Sequence, residues 1–236
     1  MSNIKKLSQL LDSMKLVDLS HTLEEDMPIV PSHNRYFHTL WDTFAHGSRA
    51  LSYQLLINEH TGTHVDATAH FMQEGHPAHQ YIDQTSLTQF FGRALTLDFS
   101  HYTETDEVTV EEIQQWEQDN QAIEPGDIVI FYFGWARYWV PRSVSQKFAQ
   151  SRPGITGAAA EYLVSKKIKT IGCDVISIDG SSSTDSAAHY ALLGNGVNII
   201  ENLNRLEEIL GESYIFILPL KIKEGSGSPV RAVAFK

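Results

Sequence analysis

Residues 125–133 read PGDIVIFYF. Pro125-Gly126-Asp127 is a turn signal, and the apolar run it feeds shows no polar alternation. A short continuous run of β-branched and aromatic residues is a strand buried on both faces. Upstream, Thr109 is followed three residues later by Glu112, a capping box that opens a helix carrying Ile113 and Trp116. Arg93–Phe99 and residues 51–58 read as strands, the latter with Leu51, Tyr53, Leu55 and Ile57 on one face. Near the start, Ile4, Leu7, Leu10, Leu11 and Met14 recur at helical spacing, and Leu16–Leu19 begins a strand.

Downstream, Thr156 caps a helix over Ala158–Lys166, and Ile168–Cys173 is a strand. A helix over Ser186–Leu193 is stopped by Gly194 and Gly196, and Leu203–Leu210 reads as a further short helix. Strands at Tyr214–Ile222 and Val230–Phe235 flank a GSGSP segment that reads as a flexible loop. Strands and helices mix without strict βαβ regularity. The expected fold is α/β with a mixed sheet, in one domain spanning residues 1–236.

Composition narrows the function. The chain has 236 residues and is 42% apolar, enough to close a core and to exclude a disordered chain. With 18 Lys+Arg against 29 Asp+Glu the net charge is −11, which disfavours nucleic acid and anionic membranes as partners. A single cysteine, Cys173, builds no intrachain disulfide framework and sits in an apolar strand as an inert thiol. The N-terminus lacks a signal peptide's continuous apolar segment, and the run Ile128 to Ala136 is far below the roughly 18 residues of a membrane span. A cytoplasmic protein acting on a small molecule is the expectation.

Five of the 11 histidines lie between His60 and His79. Residues 60–71 read HTGTHVDATAHF. His60 and His64 are four apart, but the intervening Thr-Gly-Thr disfavours a helix and points to a tight loop. His64 and Asp66, two apart, share a side in extended backbone. Two imidazoles and a carboxylate are the ligand set of a catalytic divalent metal with an open position, zinc or manganese. His70 lies close enough to act as a proton shuttle. A second source of ligands is His189, on a short helix, and Glu201, which ends the apolar VNII segment. Spacing alone does not bring these two to the first cluster; read singly, they are an inward helix histidine and a helix-capping glutamate. Asp174 and Asp179, in CDVISID, are either turn caps or groups behind the ligands.

Together these residues resemble the cyclase family of metal-dependent hydrolases, which includes bacterial kynurenine formamidases and isatin hydrolases. The signature H-x-G-T-H-x-D-A-P-x-H-F stands here as HTGTHVDATAHF, with ordered agreement in VDLSHTLEEDMPIVP, PGDIVIFYFGWARYW, GCDVISID, AHYALLGNGVNIIENL and LPLKIKEGSGSPVRAVA. The resemblance implies a swivelling β/β/α fold, a homodimer or homotetramer, and hydrolysis of an aryl formamide or cyclic amide. It assigns His60, His64 and Asp66 to one zinc or manganese ion. Asp66, His189 and Glu201 hold a second where two bind, and His70 is the general acid/base. Two positions depart from the pattern. Thr68 replaces a proline, which predicts a looser loop, and Val30 stands where formylkynurenine-cleaving members carry tryptophan, which argues against that substrate.

The chemistry implied is attack of a metal-activated water on a carbonyl. A GxSxG nucleophile elbow and a P-loop are both absent from the sequence. A lactone hydrolase, a cyclase or dehydratase using the same metal, and a non-catalytic metal-binding protein are the competing readings. Phe37, Trp41, Phe71, Tyr81, Trp135 and Trp139 either line an apolar pocket or fill cores.

Overall fold

In the computed structural model, which describes residues 1–236, the chain begins with α1 (Asn3–Ser13), β1 (Leu16–Asp18) and a hairpin of β2 (Phe37–Asp42) and β3 (Ser52–Leu56). Next come β4 (His64–Asp66), β5 (Phe91–Asp98), β6 (Glu107–Val108), α2 (Val110–Asp119) and β7 (Ile128–Tyr132). Then follow α3 (Lys147–Gln150), β8 (Gly154–Ile155), α4 (Gly157–Ser165) and β9 (Thr170–Cys173). The chain ends through α5 (Ala187–Leu193), β10 (Asn198–Glu201), β11 (Gly211–Pro219) and β12 (Gly227–Phe235).

The main sheet runs β1-β12-β11-β5-β7-β9-β10-β4, and β4 also pairs with β12. Seven strands therefore close into a mixed barrel, and β1 lies outside the ring. One edge of β12 serves two partners: Gly227–Pro229 pair with β4, and Val233–Phe235 pair with β1. β5, β7, β9 and β10 are mutually parallel, and the other joints of the ring are antiparallel.

The apolar run of β7 is explained by cover on both sides. Ile128 and Ile130 enter the barrel interior with Val65, Ala94, Ile200 and Ile215. Val129 and Phe131 face an outer core with Ile113 of α2, Leu163 of α4 and Leu192 of α5. Each such side chain stabilises the fold by about 1.5–3 kcal/mol. The helix starts follow their caps: Thr109 and Glu112 form the reciprocal capping box of α2, and Thr156 accepts from the Ala159 amide at 3.1 Å.

Two expectations are corrected. Leu203–Leu210 is no α-helix and holds only a single 3-10 turn, Leu206–Glu208. Asn202 and Arg205 adopt left-handed φ of 58° and 54°, and Leu203, Leu206 and Ile209 fill the barrel interior, so their spacing reflects a plug rather than a helix face. The GSGSP segment is not a free loop, because from Gly227 onward it is β12, paired to β4. The apolar stripe of α1 covers nothing: none of its residues is buried, and Tyr53 and Leu55 of β3 are likewise exposed.

Candidate metal centre

β4 alternates His64, Val65 and Asp66. Val65 enters the barrel interior, so His64 and Asp66 point outward from the barrel. β10 runs antiparallel beside it with Glu201 opposite His64, which places that carboxylate on the same face. α5 packs against β10 and brings His189 over the carboxylates. His60 arrives from the preceding loop, which turns at Gly62 with φ +64°, a conformation glycine adopts without strain. Asn202 secures that loop, since its Nδ2 donates to the Gly62 carbonyl at 2.7 Å and its own carbonyl accepts from Thr63 Oγ1 at 2.6 Å.

His60, His64 and Asp66 form one group of converging ligand atoms, and Asp66, His189 and Glu201 form another, with Asp66 shared. His60 Nδ1 lies 2.6 Å from Asp66 Oδ1, and His64 Nε2 lies 3.5 Å from that oxygen and 3.6 Å from Glu201 Oε2. His189 Nε2 lies 3.6 Å from Asp66 Oδ2 and 3.4 Å from Glu201 Oε1. All five residues that the sequence nominated as ligands therefore meet at one place.

The far nitrogen of each ring is engaged elsewhere. His64 Nδ1 donates to the Gly62 carbonyl at 2.9 Å, and His189 Nδ1 donates to Asp179. His60 Nε2 donates to Ser226 Oγ at 2.9 Å, while that hydroxyl donates to Glu59 at 2.8 Å. Read from this network, each imidazole has an acceptor for the proton on its outer nitrogen, so a cation that displaces the inner proton meets a lone pair on each ring, the arrangement that orients metal-ligating histidines.

Electrostatics describe the same demand. Burial acts to raise the Asp66 carboxyl, but His60, His189 and His64 around it hold it well below the usual carboxylate range. Burial acts to lower His64 and His189, yet both are raised: His64 by Asp66 and Glu201, His189 by Asp179, Asp66 and Glu201. Buried anions require positive charge, and here only protons on the inner nitrogens or a cation in their place supply it. The donor set, two nitrogen–carboxylate triads with oriented rings, fits a divalent ion of zinc or manganese type.

His70 stacks on His60 with ring centroids 3.9 Å apart, and burial pushes it down to about 4, so it is neutral at pH 7. It borders a cavity of about 270 Å³ together with both triads, Val30, His33, Phe71 and Arg152. Val30 thus lies on the cavity wall. Of the aromatic candidates only Phe71 lines this cavity: Trp135 fills the outer core, Trp139 stacks on His21, and Phe37 and Trp41 are exposed on the hairpin. Tyr81 packs edge-on against His79. The histidine cluster divides, because His79 binds the Met72 carbonyl and His76 accepts from the Ala78 amide. Thr68 does not loosen its loop: its hydroxyl donates to the Ala78 carbonyl.

Asp174 caps the turn after β7, accepting from the Phe133 and Trp135 amides, and burial raises it to about 7. Asp179 combines two roles, capping α5 through the Ala188 amide at 2.9 Å while holding His189. Cys173 is buried and raised well above the usual thiol value, an inert group. Sequence reading missed Ser226, Glu59, Gly227, Arg152 and His33. Gly227 carried a usable signal, because a glycine inside a strand marks close approach. A Cβ there would sit 2.7 Å from His60 Cε1 and 2.8 Å from the Val65 carbonyl.

The family described as putative cyclase matches residues 17–180. A kynurenine formamidase of Geobacillus thermodenitrificans (strain NG80-2) is 28% identical over 221 residues, 93% of this chain and 97% of the relative. Isatin hydrolase A from Labrenzia aggregata, solved bound to benzyl benzoate, superposes with a TM-score of 0.90 at 26% identity, covering 99% of each chain. Isatin hydrolase A from Ralstonia solanacearum gives a TM-score of 0.88 at 26% identity, over 100% of this chain and 97% of that one. No helix of the chain is long and apolar enough to cross a membrane.

Proposed function

This chain belongs to the putative cyclase family, and from that premise we propose that it is a metal-dependent hydrolase of an amide-type C–N bond, in an aryl formamide or a cyclic amide. The observation that carries the reading is the pair of triads sharing Asp66, with every ring nitrogen facing away already bound. The names of the similar proteins, a formamidase and isatin hydrolases, point to the same bond class.

His60, His64 and Asp66 would hold one divalent ion, and Asp66, His189 and Glu201 a second. Bound there, zinc or manganese lowers the pKa of a coordinated water and polarises a carbonyl. His70 is the base: neutral, and on the cavity wall beside His60, it takes a proton from the attacking water and returns it to the leaving nitrogen. The C–N bond breaks, oxygen from water joins the acyl carbon, and an acid and an amine leave. Phe71, stacked on His189 at 4.6 Å, excludes water from one side. Val30 offers less contact area than an aromatic ring, which disfavours formylkynurenine itself.

A homodimer or homotetramer belongs to the same proposal. The hairpin exposes Leu40, Trp41, Leu55 and Leu56, with Phe44 beside it, an apolar patch suited to a second copy. The deciding assay incubates the zinc- or manganese-loaded protein with formanilide, isatin and a lactone in ¹⁸O-water. Turnover of an amide with label in the acid supports the reading, and silence across the panel with metal verified removes it.

A further inference from the structure

Arg152 stands apart from the other arginines. Arg93 pairs with Asp127 and Glu212, Arg142 with Asp26, Arg205 with Glu208 and Arg231 with Asp18. Arg35, Arg49 and Arg137 are exposed to solvent. Arg152 is only partly accessible, forms no ion pair, and lines the cavity beside the two triads. Its Nε donates to the Asp179 carbonyl at 3.0 Å, but its two terminal amino groups donate to no protein atom. An arginine withdrawn from water is normally paired.

The backbone that carries the guanidinium is also fixed in place. The Arg152 carbonyl accepts from the Ser181 amide and from the Ser181 hydroxyl, each at 3.1 Å, and Pro153 restricts the backbone before it to extended conformations. Of the cavity's carboxylates, Asp66 and Glu201 face the imidazoles and are assigned to metal. That leaves one oriented, planar cation with no ion pair of its own, only the more distant charges of Glu201 and Asp179, and two terminal amino groups that donate to no protein atom. Planar donor pairs of this kind match a carboxylate bidentately.

Resting on the hydrolase reading above, we propose that Arg152 receives a carboxylate of the substrate, so that the enzyme's substrates are anionic amides: acyl amines or cyclic amides bearing a carboxylate near the scissile bond. The small cavity keeps that carboxylate close to the reacting carbonyl.

The test compares 2-formamidobenzoate with formanilide, which share the scissile formamide and differ by one carboxylate. In the wild-type, metal-loaded protein kcat/KM favours 2-formamidobenzoate. In R152Q that preference falls roughly 10²-fold, the size of a lost charge-assisted bidentate contact, with the loss in KM, and R152K restores part of it. An unchanged preference, or an equal fall in kcat for both substrates, overturns the proposal, the latter assigning Arg152 to the reacting carbonyl or to the fold. Calorimetric titration with 2-aminobenzoate decides independently of turnover. Binding weakened at least tenfold in R152Q supports the assignment, and equal affinity refutes it. A wild-type protein that hydrolyses neither formamide refutes the hydrolase reading, and the titration still judges Arg152.

Discussion

Asp179→Asn probes the least obvious support of the metal centre. One Asp179 oxygen accepts from the Ala188 amide at 2.9 Å, and the other accepts from His189 Nδ1 and from the His189 amide at 3.3 Å. Asparagine retains one acceptor, enough for the helix cap, but its amide group cannot accept from His189. The imidazole then loses the partner that keeps its proton on Nδ1. In the alternative tautomer Nε2–H points at Asp66 and Glu201, where a lone pair is needed. Loss of such an outer partner typically costs about 10- to 100-fold in metal affinity, which is about 1.4 to 2.8 kcal/mol. The assay is competition calorimetry with manganese on wild type and D179N, with thermal unfolding of the metal-free proteins as a check on the cap. Weaker binding at one of two sites, with a metal-free midpoint lowered by only a few degrees, is expected. Unchanged affinity at both sites would refute the orientation argument.

His70→Ala should keep the metal and lose about 10² to 10⁴ in kcat, the usual range for a general acid–base group; loss of metal in this variant would show His70 to be a ligand instead. Gly227→Ala places a methyl against His60 Cε1 and the Val65 carbonyl, costing roughly 1–3 kcal/mol by overpacking and weakening the His60 site, as denaturant titration and metal competition would show. His21 gives a pH dependence away from the metal. Burial lowers it to about 4 from 6.5, and it stacks on Trp139 at 3.9 Å. The unfolded chain thus binds the extra proton first: this contribution is whole above pH 6.5 and is lost as pH falls toward 4. About 3 kcal/mol should disappear across that window, and H21F, measured by urea unfolding at pH 7 and pH 4.5, should flatten the difference. An equally steep H21F profile would assign the acid sensitivity elsewhere.

The residues legible in the sequence were those whose signal is local. The capping box of Thr109 and Glu112, the continuous apolar run of β7 and the HTGTHVD spacing each state their structure within a dozen residues. β4 and β10 were harder to see as strands, being only three and four residues long and buried throughout, too short for a periodic pattern to stand out. Their antiparallel register is what brings Glu201 opposite His64, and register between segments 137 positions apart leaves no local trace. Separation along the chain also hid Ser226 behind His60 and Arg152 on the cavity wall shared with His189. The spacing of Leu203, Leu206 and Ile209 misled for a related reason: closing the barrel imposed a three-residue period on a chain that turns through left-handed residues. His189 and Glu201 lay between these cases: the sequence offered them as ligands, but only the family resemblance joined them to Asp66 until α5 and β10 set them there.

The most direct measurement is an anomalous-difference map from crystals grown with manganese. The account predicts density between His60, His64 and Asp66, with a second peak between Asp66, His189 and Glu201 when both sites fill, and at least one ion keeping a ligand position open to the cavity. Crystals in which these side chains point apart with no ion between them, or hold an ion closed off on every side by protein atoms, would contradict it.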